Sequence, residues 1–250
     1  MRQPLHEKVA IVTGGTGGIG QATCRALAAA GANAVIVDRC LDRIEALQAE
    51  LLGAETLGLA LDVAQESDME AMAAKTLERF GQIDFLITCA GILRAPGTSP
   101  KPLLQVSEAE WDCVLDINLK GVFLSNRAVL PAMIQRRSGT IINLSSTSGR
   151  QGKAHDAPYC ASKFGVIGLS ESLAEEVRLH GIKVQAILPD AVDTPLWEQN
   201  GPIKPEYALP ATQVADLIVY MLTLPTDTML VAPVIAPFRT RKRRTQANAD

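Results

Sequence analysis

The chain has 250 residues, 47% of them hydrophobic and 20% charged, with a formal net charge of −3. That length can bury one substantial core, the apolar content excludes a disordered chain, and the mild acidity gives no global positive field for nucleic acid. The five cysteines, at 24, 40, 89, 113 and 160, show neither C-x-x-C nor Cys/His spacing, which argues against a disulfide framework or a zinc site.

The opening MRQPLHEK lacks a signal-type apolar region, and no apolar run approaches the roughly 18 residues of a membrane span. The expectation is a cytoplasmic protein without metal, nucleic acid or membrane partners. Residues 1–238 would form one domain, and the basic block RTRKRR (239–244) would begin a solvated tail of residues 239–250.

Along the chain, apolar β-branched runs alternate with longer helical patterns. KVAIVTG (8–14) predicts a strand and 18–30 a helix; NAVIVD (33–38) and 41–52 repeat the pair, as do TLGLALD (56–62) and 67–80. DFLIT (84–88) precedes a helical stretch over 107–135, GTIINLS (139–145) precedes one over 157–180, and KVQAILP (183–189) one over 211–223; MLVAPVI (229–235) predicts a last strand. Two helices carry capping-box spacing, Ser67-x-x-Glu70 and Ser107-x-x-Glu110. Runs such as VAIV and AVIV are apolar on both faces, as a parallel sheet covered on both sides requires. The pattern therefore predicts a single α/β, doubly wound Rossmann-type domain with seven parallel strands, whose ligands bind beyond the carboxyl ends of those strands.

The first strand runs into TGGTGGIG (13–20), which contains Gly15-x-Gly17-x-x-Gly20 and, overlapping it, Gly14-x-x-x-Gly18-x-Gly20. Glycines permit the tight turn and close backbone approach, so Gly14, Thr16, Gly17, Gly18, Ile19 and Gly20 become candidates for holding a dinucleotide pyrophosphate at a helix N-terminus. A glycine-rich surface turn is the bland alternative. It is disfavoured because the loop links a strand to a helix and the second strand ends in Asp38, where a ribose-binding acid is expected. That carboxylate would accept from both ribose hydroxyls and repel a 2′-phosphate, which favours NAD over NADP although Arg39 follows. Asp62 and Val63, at the end of the third run, are candidates for the adenine, with a turn-forming aspartate as the alternative.

Tyr159 and Lys163 lie four apart in PYCASKFG (158–165), on one face of a predicted helix, and alone would read as an exposed pair. Together with CAG (89–91), NLKG (118–121), SS (145–146) and PDAVDTP (189–195), in this order, they make residues 8–223 resemble a short-chain dehydrogenase/reductase. The resemblance implies a catalytic tetrad of Asn118, Ser146, Tyr159 and Lys163. Ser146 is preferred to Ser145 because the family's serine lies thirteen residues before its tyrosine. It also implies contacts from Cys89, Ala90, Gly91, Val192 and Thr194 to the cofactor, a water held by Asn118, and a homodimer or homotetramer. A tyrosine titrates near pH 10, so it needs the Lys163 charge to act as base; Ser146 would orient the reacting oxygen.

The implied activity is hydride transfer between NAD(H) and a small-molecule secondary alcohol or ketone. The alternatives are an NADP-dependent 3-oxoacyl-thioester reductase and a non-catalytic dinucleotide sensor acting through the basic tail. Three departures from the family pattern stand out. Thr88 and Cys89 replace two asparagines; Asp190 replaces a glycine, a position that tolerates aspartate if φ is positive; and the C-terminal sequence differs, which puts a common subunit contact in doubt. His155 and Asp156 are read as loop residues beside the site. The stretch 189–210, with five prolines, Leu196, Trp197 and Tyr207, suits a lid, with Trp197 either facing substrate or anchoring the loop.

Overall fold

The computed structural model describes residues 3–200 and 205–238; the basic block and the tail read from the sequence lie outside them. Six longer strands form most of the sheet: β1 (Val9–Thr13), β2 (Asn33–Asp38), β3 (Thr56–Ala60), β4 (Phe85–Thr88), β5 (Gly139–Leu144) and β6 (Ile182–Pro189). Two-residue strands follow, β7 (Val192–Asp193), β8 (Leu209–Pro210) and β9 (Val234–Ile235). The helices are α1 (Gly18–Ala29), α2 (Leu41–Glu50), α3 (Glu66–Phe80), α4 (Glu108–Leu115), α5 (Gly121–Arg136), α6 (Ala157–Val177) and α7 (Ala211–Thr223).

The main sheet is parallel, seven-stranded, and ordered β3-β2-β1-β4-β5-β6-β9. Its register follows from the apolar runs. Ala10 and Val12 of β1 belong to the core shared with α1, α2 and α7, while Val9 and Ile11 belong to the core shared with α3, α5 and α6. A run without polar positions has no face to offer water, so helices must cover both sides. The chain walks outward from β1 to β3 and then returns to β4 beside β1, which opens a crevice between the carboxyl ends of β1 and β4.

Four local expectations change. The last strand is confined to Val234–Ile235, pairing with Leu188 and Pro189, rather than running over 229–235. The Ser107 capping box forms, whereas Ser67 does not cap: α3 begins at Glu66, and Gln65 precedes it without a side-chain bond. The helical stretch over 107–135 is interrupted by a π-helical turn at Asp116–Lys120, a distortion frequent at functional sites. Asp190 is absent from the residues with positive φ, so its aspartate answers no left-handed backbone requirement. No helix among the described residues is long and apolar enough to cross a membrane.

Candidate active site

The crevice holds a cavity of about 390 Å³ lined by the glycine loop, Asp38, Arg39, Asp62, Val63, Cys89, Ala90, Gly91, Ser146, Tyr159, Lys163, Val192 and Thr194. At one end the glycine loop is packed too tightly for side chains. A Cβ on Gly20 would fall 2.0 Å from the Gly14 carbonyl oxygen, and one on Gly14, whose φ is +64°, 2.5 Å from the Ala90 nitrogen. Gly17 sits at the N-cap of α1 without a side-chain cap, leaving that helix's first amides to a ligand. The buried Thr16 Oγ1 has no partner among the described residues.

Asp38 ends β2 with its carboxylate turned to the loop: Oδ2 accepts from Thr16 N–H at 3.1 Å and Oδ1 from Arg39 N–H at 2.8 Å. Arg43 of α2 donates to the Thr16 carbonyl at 3.3 Å, so a second arginine flanks this end of the cavity. Sequence reasoning missed it because only folding brings the start of α2 over the glycine loop. Asp62 Oδ1 accepts from Ala64 N–H at 2.9 Å, as a turn aspartate does, and still lines the cavity. An elongated cleft with a cradle that Cβ atoms would fill, free helix amides and a ribose-height carboxylate fits a dinucleotide.

At the other end, β5 delivers Ser145 and Ser146, and α6 delivers Tyr159 and Lys163. The two serines divide their roles. Ser145 donates to the Lys163 carbonyl at 2.8 Å, fixing α6 to the strand, whereas Ser146 hydrogen-bonds Tyr159 and accepts from Ser148 N–H at 3.1 Å. Lys163 Nζ donates to the Leu144 carbonyl at 2.7 Å and lies 5.7 Å from the Tyr159 ring centroid. Asn118 lies just behind the cavity wall, in the π turn, with both amide hydrogens donated. Its Oδ1 accepts from Ile92 N–H at 2.8 Å, and its Nδ2 donates to the Ile92 carbonyl at 2.8 Å and to Ser162 Oγ at 3.1 Å.

Burial raises the Tyr159 phenol from 10.0 to about 12, with the Ser146 hydrogen bond pulling down and Asp156 pushing up. Burial also lowers the Lys163 amine from 10.5 to about 8, with Cys89 opposing the fall, and pushes the Cys89 thiol up to about 12. In the free protein, desolvation of the phenol thus opposes the ionisation that Lys163 is expected to favour.

Thr88 takes over part of the missing asparagine pair: its hydroxyl donates to Asn143 Oδ1 at 2.9 Å, and Asn143 in turn donates to Ser170 of α6 at 3.0 Å. Thr147 Oγ1 donates to Asp190 at 3.1 Å, and Asp190 lines the cavity. The segment 191–195 folds back over α1, since a Cβ on Gly18 would meet Thr194 Cγ2 at 2.4 Å. The ends of the 189–210 stretch are clipped together by pairing of β7 with β8. Trp197 lines the cavity and also anchors the loop, donating from Nε1 to the Val192 carbonyl at 2.8 Å. Gln199 ties the same loop across the crevice: its Oε1 accepts from Leu93 N–H at 2.8 Å and Arg94 N–H at 3.1 Å. Nothing in the sequence marks Gln199, because its partners lie about a hundred residues away.

Residues 8–204 match the short chain dehydrogenase family. The chain is 38% identical over 198 residues to levodione reductase of Leifsonia aquatica, covering 78% of this chain and 73% of that one. Among solved structures, a 3-ketoacyl-(acyl-carrier-protein) reductase of Brucella melitensis complexed with NADH aligns at a TM-score of 0.85 and 29% identity, covering 93% of this chain and 98% of that one. A metagenomic short-chain oxidoreductase in complex with NADP aligns at 0.80 and 32% identity, covering 95% and 100%.

The chain belongs to the short-chain dehydrogenase/reductase family. It is an NAD(P)-dependent oxidoreductase of that family.

Proposed function

We propose that the protein interconverts a secondary alcohol and its ketone with NAD(H), using Tyr159 as general acid/base. The observation that carries this reading is the placement of Ser146, Tyr159 and Lys163 at one end of a cleft whose other end is closed by Asp38 and the glycine loop. When bound, the nicotinamide supplies or accepts the hydride. In oxidation the Tyr159 phenolate takes the alcohol proton, and in reduction the phenol gives it back to the nascent alkoxide. Ser146 donates to the same oxygen and holds it at the phenol. The Lys163 ammonium favours the phenolate and would hold the nicotinamide ribose. Protons return to Lys163 through a water held at Asn118.

Asp38 supports NAD over NADP, since a 2′-phosphate would approach a carboxylate already fixed by two backbone amides. Arg39 and Arg43 on the same rim are what an NADP-dependent 3-oxoacyl-thioester reductase would use, and they make that the second reading. Leu93, Leu196 and Trp197 give the substrate end an apolar wall, while Asp190 favours a substrate with a hydroxyl or cationic group. Exposed aromatic residues on α4, α5 and α6 support self-association of the chain.

The test is separate titration with NADH and NADPH, then a turnover screen of cyclohexanol, phenylethanol and a hydroxyacyl thioester with the better binder. NADH is expected to bind at least about tenfold tighter, a difference of about 1.4 kcal/mol. Tyr159→Phe should keep NADH binding and lose about a hundredfold or more in turnover. Full turnover in that variant would sink the mechanism, and equal binding of NADPH would sink the role of Asp38.

A further inference from the structure

Arg94 and Asp156 form an ion pair that no part of the proposed reaction uses. Arg94 follows the β4 end by six residues and is 9% exposed; Asp156 precedes α6 and its side chain is 17% exposed. Two charges are withdrawn from water here, which demands a compensating role or close mutual pairing. Asp156 occupies the N-cap of α6, where aspartate ordinarily caps the helix amides, yet it makes no cap bond and gives its carboxylate to Arg94 instead. Arg94 is itself positioned through its backbone, which donates to Gln199 of the loop above the site.

Tyr159 lies one helical turn after Asp156. On the same helix it faces Lys163 and Cys160, and from β5 it faces Ser146. Cys89 stands beside Lys163, Asp190 and Lys153 line the same cavity, and His155, Lys101 and Glu110 surround the outer side of the pair. Asp156 stands one helical turn before Tyr159 on the wall of the same cavity, and within this set it is the carboxylate that holds the phenol's titration up.

Resting on the reading of Tyr159 as the acid/base, we propose that Arg94 and Asp156 are positioning residues whose mutual neutralisation sets the pH range in which Tyr159 works. A carboxylate stripped of its guanidinium resists formation of the neighbouring phenolate. A guanidinium stripped of its carboxylate favours it. The two partners therefore act on the phenol with opposite signs, which a merely structural salt bridge would not do.

The experiment measures kcat/KM for oxidation of the best alcohol from the screen against pH, at saturating NAD, in the wild type, Arg94→Met, Asp156→Asn, the double variant, Arg94→Lys and Tyr159→Phe. Arg94→Met should move the acidic limb up by about one pH unit and Asp156→Asn should move it down by a similar amount, with the double variant and Arg94→Lys close to wild type. Single variants that lower kcat/KM at every pH with the limb in place, or that move it the same way, overturn the proposal. If Arg94→Met does not fold, as judged by its thermal transition and NADH binding, the downward shift in Asp156→Asn and the retained profile of Arg94→Lys decide the matter, and absence of either overturns it. Turnover retained by Tyr159→Phe, or no alcohol oxidised at all, removes the acid/base reading and this inference with it. An inactive Tyr159→Phe beside unshifted profiles removes the inference alone.

Discussion

Lys163 is 4% exposed, and its burial sets function against stability. Its amine titrates at about 8 in the fold against 10.5 in the unfolded chain, so the unfolded state holds the proton over that interval. A depressed folded value contributes fully above pH 10.5 and is lost as pH falls through 8, which makes stability rise with pH between the two. Lys163→Met should therefore stabilise the fold at pH 7 by about 3 kcal/mol, with the gain vanishing above pH 10.5. Turnover should be lost at every pH. Denaturant midpoints at pH 7 and pH 10.5 check this, and an equal change at both would show that packing rather than charge sets the effect. Tyr159 and Lys163 were legible as a pair from their spacing, but not their titration, because burial is a property of the elements around them.

Among the elements, the β1–α1 turn carries the tightest constraint. The absent Cβ of Gly20 leaves room for the Gly14 carbonyl, which an added methyl would meet at 2.0 Å, so the loop's own main chain must move. Gly20→Ala should destabilise the fold by about 2 kcal/mol through overpacking and weaken NADH binding at least about tenfold by displacing the helix amides. Thermal melting and cofactor titration measure the two effects, and unchanged NADH affinity would show that these amides do not hold the cofactor. The π turn at Asp116–Lys120 shows the limit of periodicity. Its apolar spacing reads as one helix over 107–135, and the extra residue becomes visible only where Asn118 must reach both backbone groups of Ile92.

In the whole molecule, α6 packs against α4 and α5, yet each of these helices leaves an aromatic side chain open: Trp111 at 36%, Phe123 at 42% and Phe164 at 47%. Apolar surface of this kind on consecutive helices is what a second copy of the chain would cover. Phe164→Glu is expected to lower the sedimenting mass to that of the monomer without changing the fold, as read by ultracentrifugation and circular dichroism. An unchanged particle would place the contact elsewhere.

The order of strands and helices is written in the apolar patterning, because runs such as VAIVT and AVIV bury both faces and dictate a parallel sheet between helices. The sequence also marked residues that line one cavity, since the glycine loop, Asp38, Ser146, Tyr159 and Lys163 lie at strand ends or in the first two turns of a helix at the carboxyl edge. Tertiary structure alone decided the contacts between segments far apart in the chain: Arg43 over Thr16, Asn118 on Ile92, Thr88 on Asn143, Gln199 across to Leu93, and Arg94 on Asp156. Periodicity reports only which face of an element is buried. Which side chain meets which, and how far burial moves its proton, is fixed when the faces pack.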